Sequence, residues 1–154
     1  MLLSRDSICK VALELKLNSK KIVFTNGCFD VIHSGHVHYL TEAKKLGDIL
    51  IIGLNTDDSV RRLKGNNRPI NNQSDRAIVL DALKPVDLVV FFDEDTPLEL
   101  IKIINPDVLV KGADYKIEDI VGADFVQQNG GEVTTIKFVE GKSSTSIINR
   151  LKQN

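Results

Sequence analysis

Residues 21–55, KIVFTNGCFDVIHSGHVHYLTEAKKLGDILIIGLN, hold two short apolar runs separated by a stretch with helical periodicity. The runs KIVFT from Lys21 and DILIIGLN from Asp48 are nearly continuous in Val, Ile, Leu and Phe, as in parallel strands covered on both faces. Between them, GHVHYLTEAKKLG places Val37, Leu40 and Ala43 on one helical face. Strand, helix and strand of these lengths predict a right-handed crossover joining parallel neighbours.

The pattern continues along the chain. Further strands are expected at DLVVFF from Asp87, DVLVK from Asp107 and EVTTIKF from Glu132. Helices are expected at SDRAIVLDAL opening at Ser74 and PLELIKIIN opening at Pro97, where proline suits a first helical turn. This alternation predicts a Rossmann-like α/β fold: a doubly wound parallel sheet of about five strands with helices on both faces. The chain is read as a single domain over residues 1–154, with an N-terminal helix over residues 1–19 before the first strand. Lys64 to Ser74, rich in Gly, Asn and Pro, reads as a mobile loop.

Composition narrows the function class. Of 154 residues, 42% are hydrophobic and 27% charged, and the formal charge of -1 creates no field favouring nucleic acid or a membrane surface. No run is long enough to span a bilayer, and charges interrupt the N-terminus where a signal peptide needs an unbroken apolar core. Cys9 and Cys28 form no C-x-x-C pair, which argues against a disulfide framework or thiolate metal site and fits a reducing cytoplasm.

Doubly wound sheets bind ligands beyond the carboxyl ends of their strands, so the segments after each strand are the places to search. All three histidines, His33, His36 and His38, fall in one such segment. A helix opening at Ser34 puts His33 just before the first turn and His36 within it, where unpaired backbone N–H groups already favour an anion. His38 reads as a bystander on the helix surface. HSGHVH lacks the H-E-x-x-H spacing and has no nearby Cys, so zinc is not expected.

No G-x-G-x-x-G follows the first strand, and the GKS at Gly141 fails as a phosphate loop because Ile136 stands where glycine is required. GKSSTSIINRL instead brings the hydroxyls of Ser143, Ser144, Thr145 and Ser146 to the start of a helix. That cluster fits either an N-cap or a second phosphate-binding helix start.

The segment NGCFDVIHSGHVHYLTEAKKLGD resembles the cytidylyltransferase-like nucleotidyltransferases. Their phosphate-binding H-x-G-H motif corresponds here to His33-Ser34-Gly35-His36, and their basic-serine-threonine run to Lys142-Ser143-Ser144-Thr145. TNGCFDVIHSGHVHYL, RRLKGNNRPIN, FDEDTPLELI, PDVLVKGADY and VEGKSSTSII are similar to the adenylyltransferase half of the heptose enzymes that make ADP-D-glycero-β-D-manno-heptose for lipopolysaccharide. Cys28 stands where glycerol-phosphate relatives carry threonine, which favours the heptose branch.

The resemblance implies AMP transfer from ATP to a sugar 1-phosphate by direct in-line attack, giving an ADP-sugar and pyrophosphate. His33, His36 and Lys64 are the implied catalytic residues. Lys64 would close over the reacting phosphates, the alternative being a surface lysine in a basic patch with Arg61, Arg62 and Arg68. Asn26, Gly27, Cys28, Phe29, Gly35, Arg76, Lys111, Gly112, Lys142, Ser143, Ser144 and Thr145 are the implied nucleotide- and phosphate-binding residues. Asp30, Asp114 and Tyr115 are the implied acceptor-binding residues, Asp30 alternatively ordering the motif loop. Mg²⁺ is expected with ATP, with Asp57 helping to hold it. Partners are thus ATP and a phosphorylated sugar, without nucleic acid or membrane, and relatives suggest a homodimer. Other readings are a glycerol 3-phosphate cytidylyltransferase, an adenylyltransferase for a flavin phosphate, and a silent nucleotide-binding module.

Overall fold

In a computed structural model, which describes residues 1–137 and 144–152, the unit read from residues 21–55 folds as strand, helix and strand. A two-residue strand β1 (Leu2–Leu3) and helix α1 (Arg5–Leu17) precede it. The unit itself is β2 (Ile22–Gly27), α2 (Ser34–Lys44) and β3 (Ile49–Asn55). Its strands pair in parallel from Ile22 beside Ile49 to Gly27 beside Leu54. Then follow α3 (Asp57–Lys64), α4 (Gln73–Asp81), β4 (Leu88–Phe92), α5 (Leu98–Ile104) and β5 (Val108–Gly112). A short 3₁₀ turn at Ile117–Asp119, α6 (Ala123–Gln128), β6 (Glu132–Ile136) and α7 (Ser144–Lys152) complete the order.

The sheet has six parallel strands in the order β1-β4-β3-β2-β5-β6, one more than expected. The extra strand is β1, where Leu2 lies beside Val89 and the Val89 N–H donates to the Met1 carbonyl. Two residues carry no readable period, so this edge strand was hidden within the expected N-terminal helix. That helix begins only at Arg5, after Ser4 caps it by accepting from the Ser7 N–H.

Two further helices went unread. α3 buries only Ser59 and Val60, and its eight residues are too few for the window in which periodicity is judged. Its charges nonetheless suit a helix, with Asp57 and Asp58 in the first turn and Arg61, Arg62 and Lys64 in the last. α6 spans six residues, short of the window in which periodicity can be judged. On α2, Leu40 and Ala43 are buried as expected but Val37 is exposed, and Tyr39 takes the third core position.

Side chains alternate across the sheet. Ile22, Phe24 and Ile51 join the layer containing Ile8 of α1, Leu100 of α5 and Val126 of α6. Val23, Leu50, Ile52 and Leu54 join Leu40 of α2 and Leu80 of α4 on the other face. Gly53 permits this packing, since a Cβ there would stand 2.8 Å from Phe24 Cζ and 3.2 Å from Leu100 Cδ2.

From the central β2 the chain builds outward through β3 and β4, then returns to β2's other side for β5 and β6. The strand order therefore reverses between β2 and β5. Among the described residues, no helix is long and apolar enough to cross a membrane.

Candidate active site

The turn after β2 creates the site. Gly27 lies against the Phe29 ring, where a Cβ would come within 3.1 Å of Cε2. Phe29 has φ 45°, a left-handed conformation that a bulky side chain adopts only when its surroundings hold it. Its ring is buried and packs against His36, with centroids 5.4 Å apart.

His33 caps α2. The Gly35 N–H donates to His33 Nδ1 at 3.1 Å, and the His33 N–H points back at His36 Nδ1 over a longer 3.4 Å. The rings lie 4.0 Å apart, centroid to centroid. Because both Nδ1 atoms accept, these bonds assign the neutral-ring proton to Nε2 in each histidine. Burial, reinforced by the positive fields of His33 and Lys64, lowers the pKa of His36 to about 4. At neutral pH His36 is thus an uncharged donor.

A cleft of about 510 Å³ opens beyond the carboxyl ends of β2, β3, β4 and β5, at the reversal of strand order. Asn26, Gly27, Cys28, Phe29 and Asp30 line it from the turn after β2, with His36 and Tyr39 from α2. Asn55, Lys64, Arg68 and Phe92 line a second side, and Lys111, Gly112, Asp114 and Tyr115 a third. Tyr39 is tied to Thr25 by a 2.7 Å hydroxyl contact, and burial pushes its phenol pKa up.

Twelve of the residues singled out from sequence therefore meet in one cleft: Asn26, Gly27, Cys28, Phe29, Asp30, His36, Lys64, Lys111, Gly112, Asp114, Tyr115 and Ser144. Ser144 opens α7 and donates to the Val31 carbonyl at 2.8 Å, which ties the start of α7 to the loop preceding α2. Lys142 and Ser143 lie outside the described residues, and of Thr145 only its backbone place in α7 is described. His33 and Gly35 lie at the helix start beside His36 and are not among the residues that line the cleft.

Arg76 and Asp57 lie elsewhere. Arg76 is fully buried, donating to the Asn71 carbonyl at 3.0 Å, the Cys28 carbonyl at 2.6 Å and Asp57 Oδ1 at 2.8 Å. It acts as a clamp between the turn after β2, α3 and α4, with its donors spent inside the protein and not facing the cleft. Asp57 is its carboxylate partner, and neither residue lines the cleft. Among the described residues, no group of three or more His, Cys, Asp or Glu is placed to hold a metal ion.

Asp30 lines the cleft and also ties it to the segment between α3 and α4. Its carboxylate is buried and accepts from the Ile70 and Asn71 N–H groups at 2.8 and 2.9 Å and from Arg68 Nε at 2.5 Å. Burial alone would raise its pKa, but these donors outweigh that and hold it below the usual carboxylate value. The segment after Lys64, expected as a mobile loop, is pinned here at Arg68–Asn71, and Lys64 itself ends α3.

The basic patch separates into two groups. Arg61 pairs with Asp58, and Arg62 with Asp93 and Asp95. Lys64 and Arg68 face the cleft. Lys111 is the third cation there. Its Nζ is 3.5 Å from the Asn26 carbonyl and 5.5 Å from the Tyr115 ring centroid, and burial lowers its pKa to about 8 despite the opposing fields of Asp114 and Cys28.

Sequence reasoning did not assign cleft roles to Tyr39, Asn55, Phe92 or Arg68. Position at the carboxyl end of a strand could have flagged Asn55 and Phe92. Nothing local distinguishes Arg68 from its solvated neighbours, because its ion pair with Asp30 spans 38 residues.

Known proteins share this chain's sequence and fold. The cytidylyltransferase-like family profile matches residues 24–150. The bifunctional protein HldE of Wolinella succinogenes is 56% identical over 151 residues, covering 98% of this chain and 31% of that protein. HldE of Campylobacter concisus is 64% identical over 133 residues, covering 86% of this chain and 27% of that protein. The chain thus spans less than a third of the length of these curated relatives. A crystal structure of a lipopolysaccharide core biosynthesis protein from Thermoplasma volcanium GSS1 matches with a TM-score of 0.62 at 28% identity, covering 80% of this chain and 99% of that one.

Proposed function

The chain belongs to the cytidylyltransferase-like family of nucleotidyltransferases, and from that premise we propose that it transfers AMP from ATP to D-glycero-β-D-manno-heptose 1-phosphate. The products are ADP-heptose and pyrophosphate. The observation that carries this reading is the cleft itself. It joins the histidine-capped start of α2, Lys64 and Lys111 where a doubly wound sheet binds its ligand. The acceptor is supported by the motif resemblance and by the names of relatives, HldE and a lipopolysaccharide core biosynthesis protein.

The reaction is a displacement at phosphorus. An acceptor phosphate oxygen forms a bond to the α-phosphorus of ATP while the bond from that phosphorus to the bridging oxygen of the β-phosphate breaks, and pyrophosphate leaves with the electron pair. No general base is required, since the attacking phosphate is already deprotonated. The protein has to align two anionic groups that repel and to stabilise the charge shared in the transition state.

His36 donates from Nε2 to a phosphate oxygen as a neutral imidazole, and His33 orients its ring through its backbone N–H, which points at His36 Nδ1, and through tilted ring contact. Lys64 and Lys111 oppose the triphosphate charge from two walls. Mg²⁺ would enter with ATP, held chiefly by substrate phosphates and water, and would offset triphosphate charge; Asp57, expected to help hold it, is engaged by Arg76.

The test is a matrix of ATP and CTP against heptose 1-phosphate, glycerol 3-phosphate and flavin mononucleotide, read as pyrophosphate release. ATP with heptose 1-phosphate is expected to be the fastest pair. A faster CTP or glycerol 3-phosphate reaction would assign the chain to another branch, and tight ATP binding with no pyrophosphate from any pair would make it a silent module.

A further inference from the structure

The geometry points to Arg68 as a phosphate-holding residue of the cleft, its guanidinium positioned by Asp30 and presented to a phosphate oxygen of a bound substrate. This rests on reading the cleft as a phosphate-transfer site. Arg68 lines the cleft, yet its side chain is only 12% exposed, and its Nε is committed to Asp30. Nη2 is shielded from water and has no hydrogen-bond partner among the described residues. A largely dehydrated guanidinium with an unsatisfied terminal nitrogen calls for an anionic acceptor.

Asp30 does not cancel that cation. Backbone N–H groups of Ile70 and Asn71 share its carboxylate oxygens with Arg68, so part of its negative charge is already answered by the segment that carries Arg68. The same bonds fix the approach of the guanidinium, which a free surface arginine would lack. Arg76, by contrast, spends donors at Nε and both terminal nitrogens inside the protein. Arg68 is therefore the arginine of this region that retains capacity for a ligand. Its planar fork suits a phosphate better than a lysine ammonium does.

The test is calorimetric binding of ATP, adenosine and heptose 1-phosphate, each separately, to the parent, Arg68→Met and Arg68→Lys, with circular dichroism confirming the fold. Arg68→Met is expected to weaken at least one phosphate ligand by about tenfold or more while adenosine changes by less than about twofold. Loss confined to ATP assigns the triphosphate as the partner, and loss confined to the sugar assigns the acceptor. Arg68→Lys, which keeps charge but cannot hold Asp30 and a phosphate through one fork, is expected to weaken the same ligand by about threefold or more.

Phosphate ligands binding Arg68→Met within about twofold of the parent, or adenosine falling as far as ATP, would overturn the proposal. Should Arg68→Met fail to fold, parent-like binding by Arg68→Lys overturns it. Binding is read without turnover, so a parent that binds these ligands but releases no pyrophosphate fails the proposed reaction while leaving the role of Arg68 standing. A parent that binds neither phosphate ligand ends both.

Discussion

His36 shows how far a local motif can set chemistry. Its place as third residue of a helix, after a capping His33 and against Phe29, half-buries the ring and keeps it neutral. Its pKa falls from 6.5 to about 4 in the folded protein, so the unfolded chain binds the extra proton between those values. The contribution to stability is complete above about pH 6.5 and is lost as pH falls toward 4. A shift of that size corresponds to at most about 3 kcal/mol. Urea titrations of parent and His36→Asn are expected to show a steeper acid loss in the parent. Parallel curves between pH 7 and 4 would contradict a neutral, half-buried His36. Lys111 offers the complementary case. With a pKa of about 8 it is partly neutral in mild base, and a bound triphosphate favours its charged form. ATP affinity is therefore expected to fall as pH rises through 8, with proton uptake on binding near that pH. Calorimetry in two buffers of different protonation enthalpy measures the uptake, and Lys111→Met is expected to abolish it. No uptake in the parent would remove Lys111 from the triphosphate's surroundings.

At the element scale, the segment between α3 and α4 depends on one buried carboxylate. Asp30→Ala would leave the Ile70 and Asn71 N–H groups without their acceptor and the Arg68 guanidinium without its charge partner. The expected loss is about 3 kcal/mol or more in urea unfolding, with faster proteolysis within residues 65–72. A loss below about 1 kcal/mol would mean that the segment is held by other contacts. This segment also marks the limit of what the sequence reveals. Its Gly, Asn and Pro content rightly reads as irregular backbone, but the anchor lies on another strand's loop and leaves no local trace. The same holds for Arg76. From sequence it is a helix-start arginine suited to phosphate, whereas Asp57, Asn71 and the Cys28 carbonyl engage it inside the protein. The start of α2 was legible because its determinants, His33, Gly35 and His36, lie within one turn and cap each other.

For the whole molecule, the strands β2 to β5 were readable because buried parallel strands demand nearly continuous Val, Ile, Leu and Phe, whereas the edge strand β6 was legible by its β-branched Val, Thr and Ile. The position of the site then follows from topology. A reversal of strand order between β2 and β5 opens a cleft at their carboxyl ends, and among the described residues the turn after β2, the end of α3, the segments after β4 and β5, and Ser144 meet there. β1 escaped notice because its two residues gain their structure only from pairing with β4. In the proposed reaction, the neutral imidazole at the start of α2 stabilises adenylyl transfer in this cleft. Steady-state pyrophosphate release from ATP and heptose 1-phosphate by the parent and His36→Ala, paired with ATP binding by both, tests it most directly. The expected result is turnover about two to three orders of magnitude lower in His36→Ala, the scale for losing one transition-state donor, with ATP affinity changed only a few-fold. Turnover within a few-fold of the parent would contradict it.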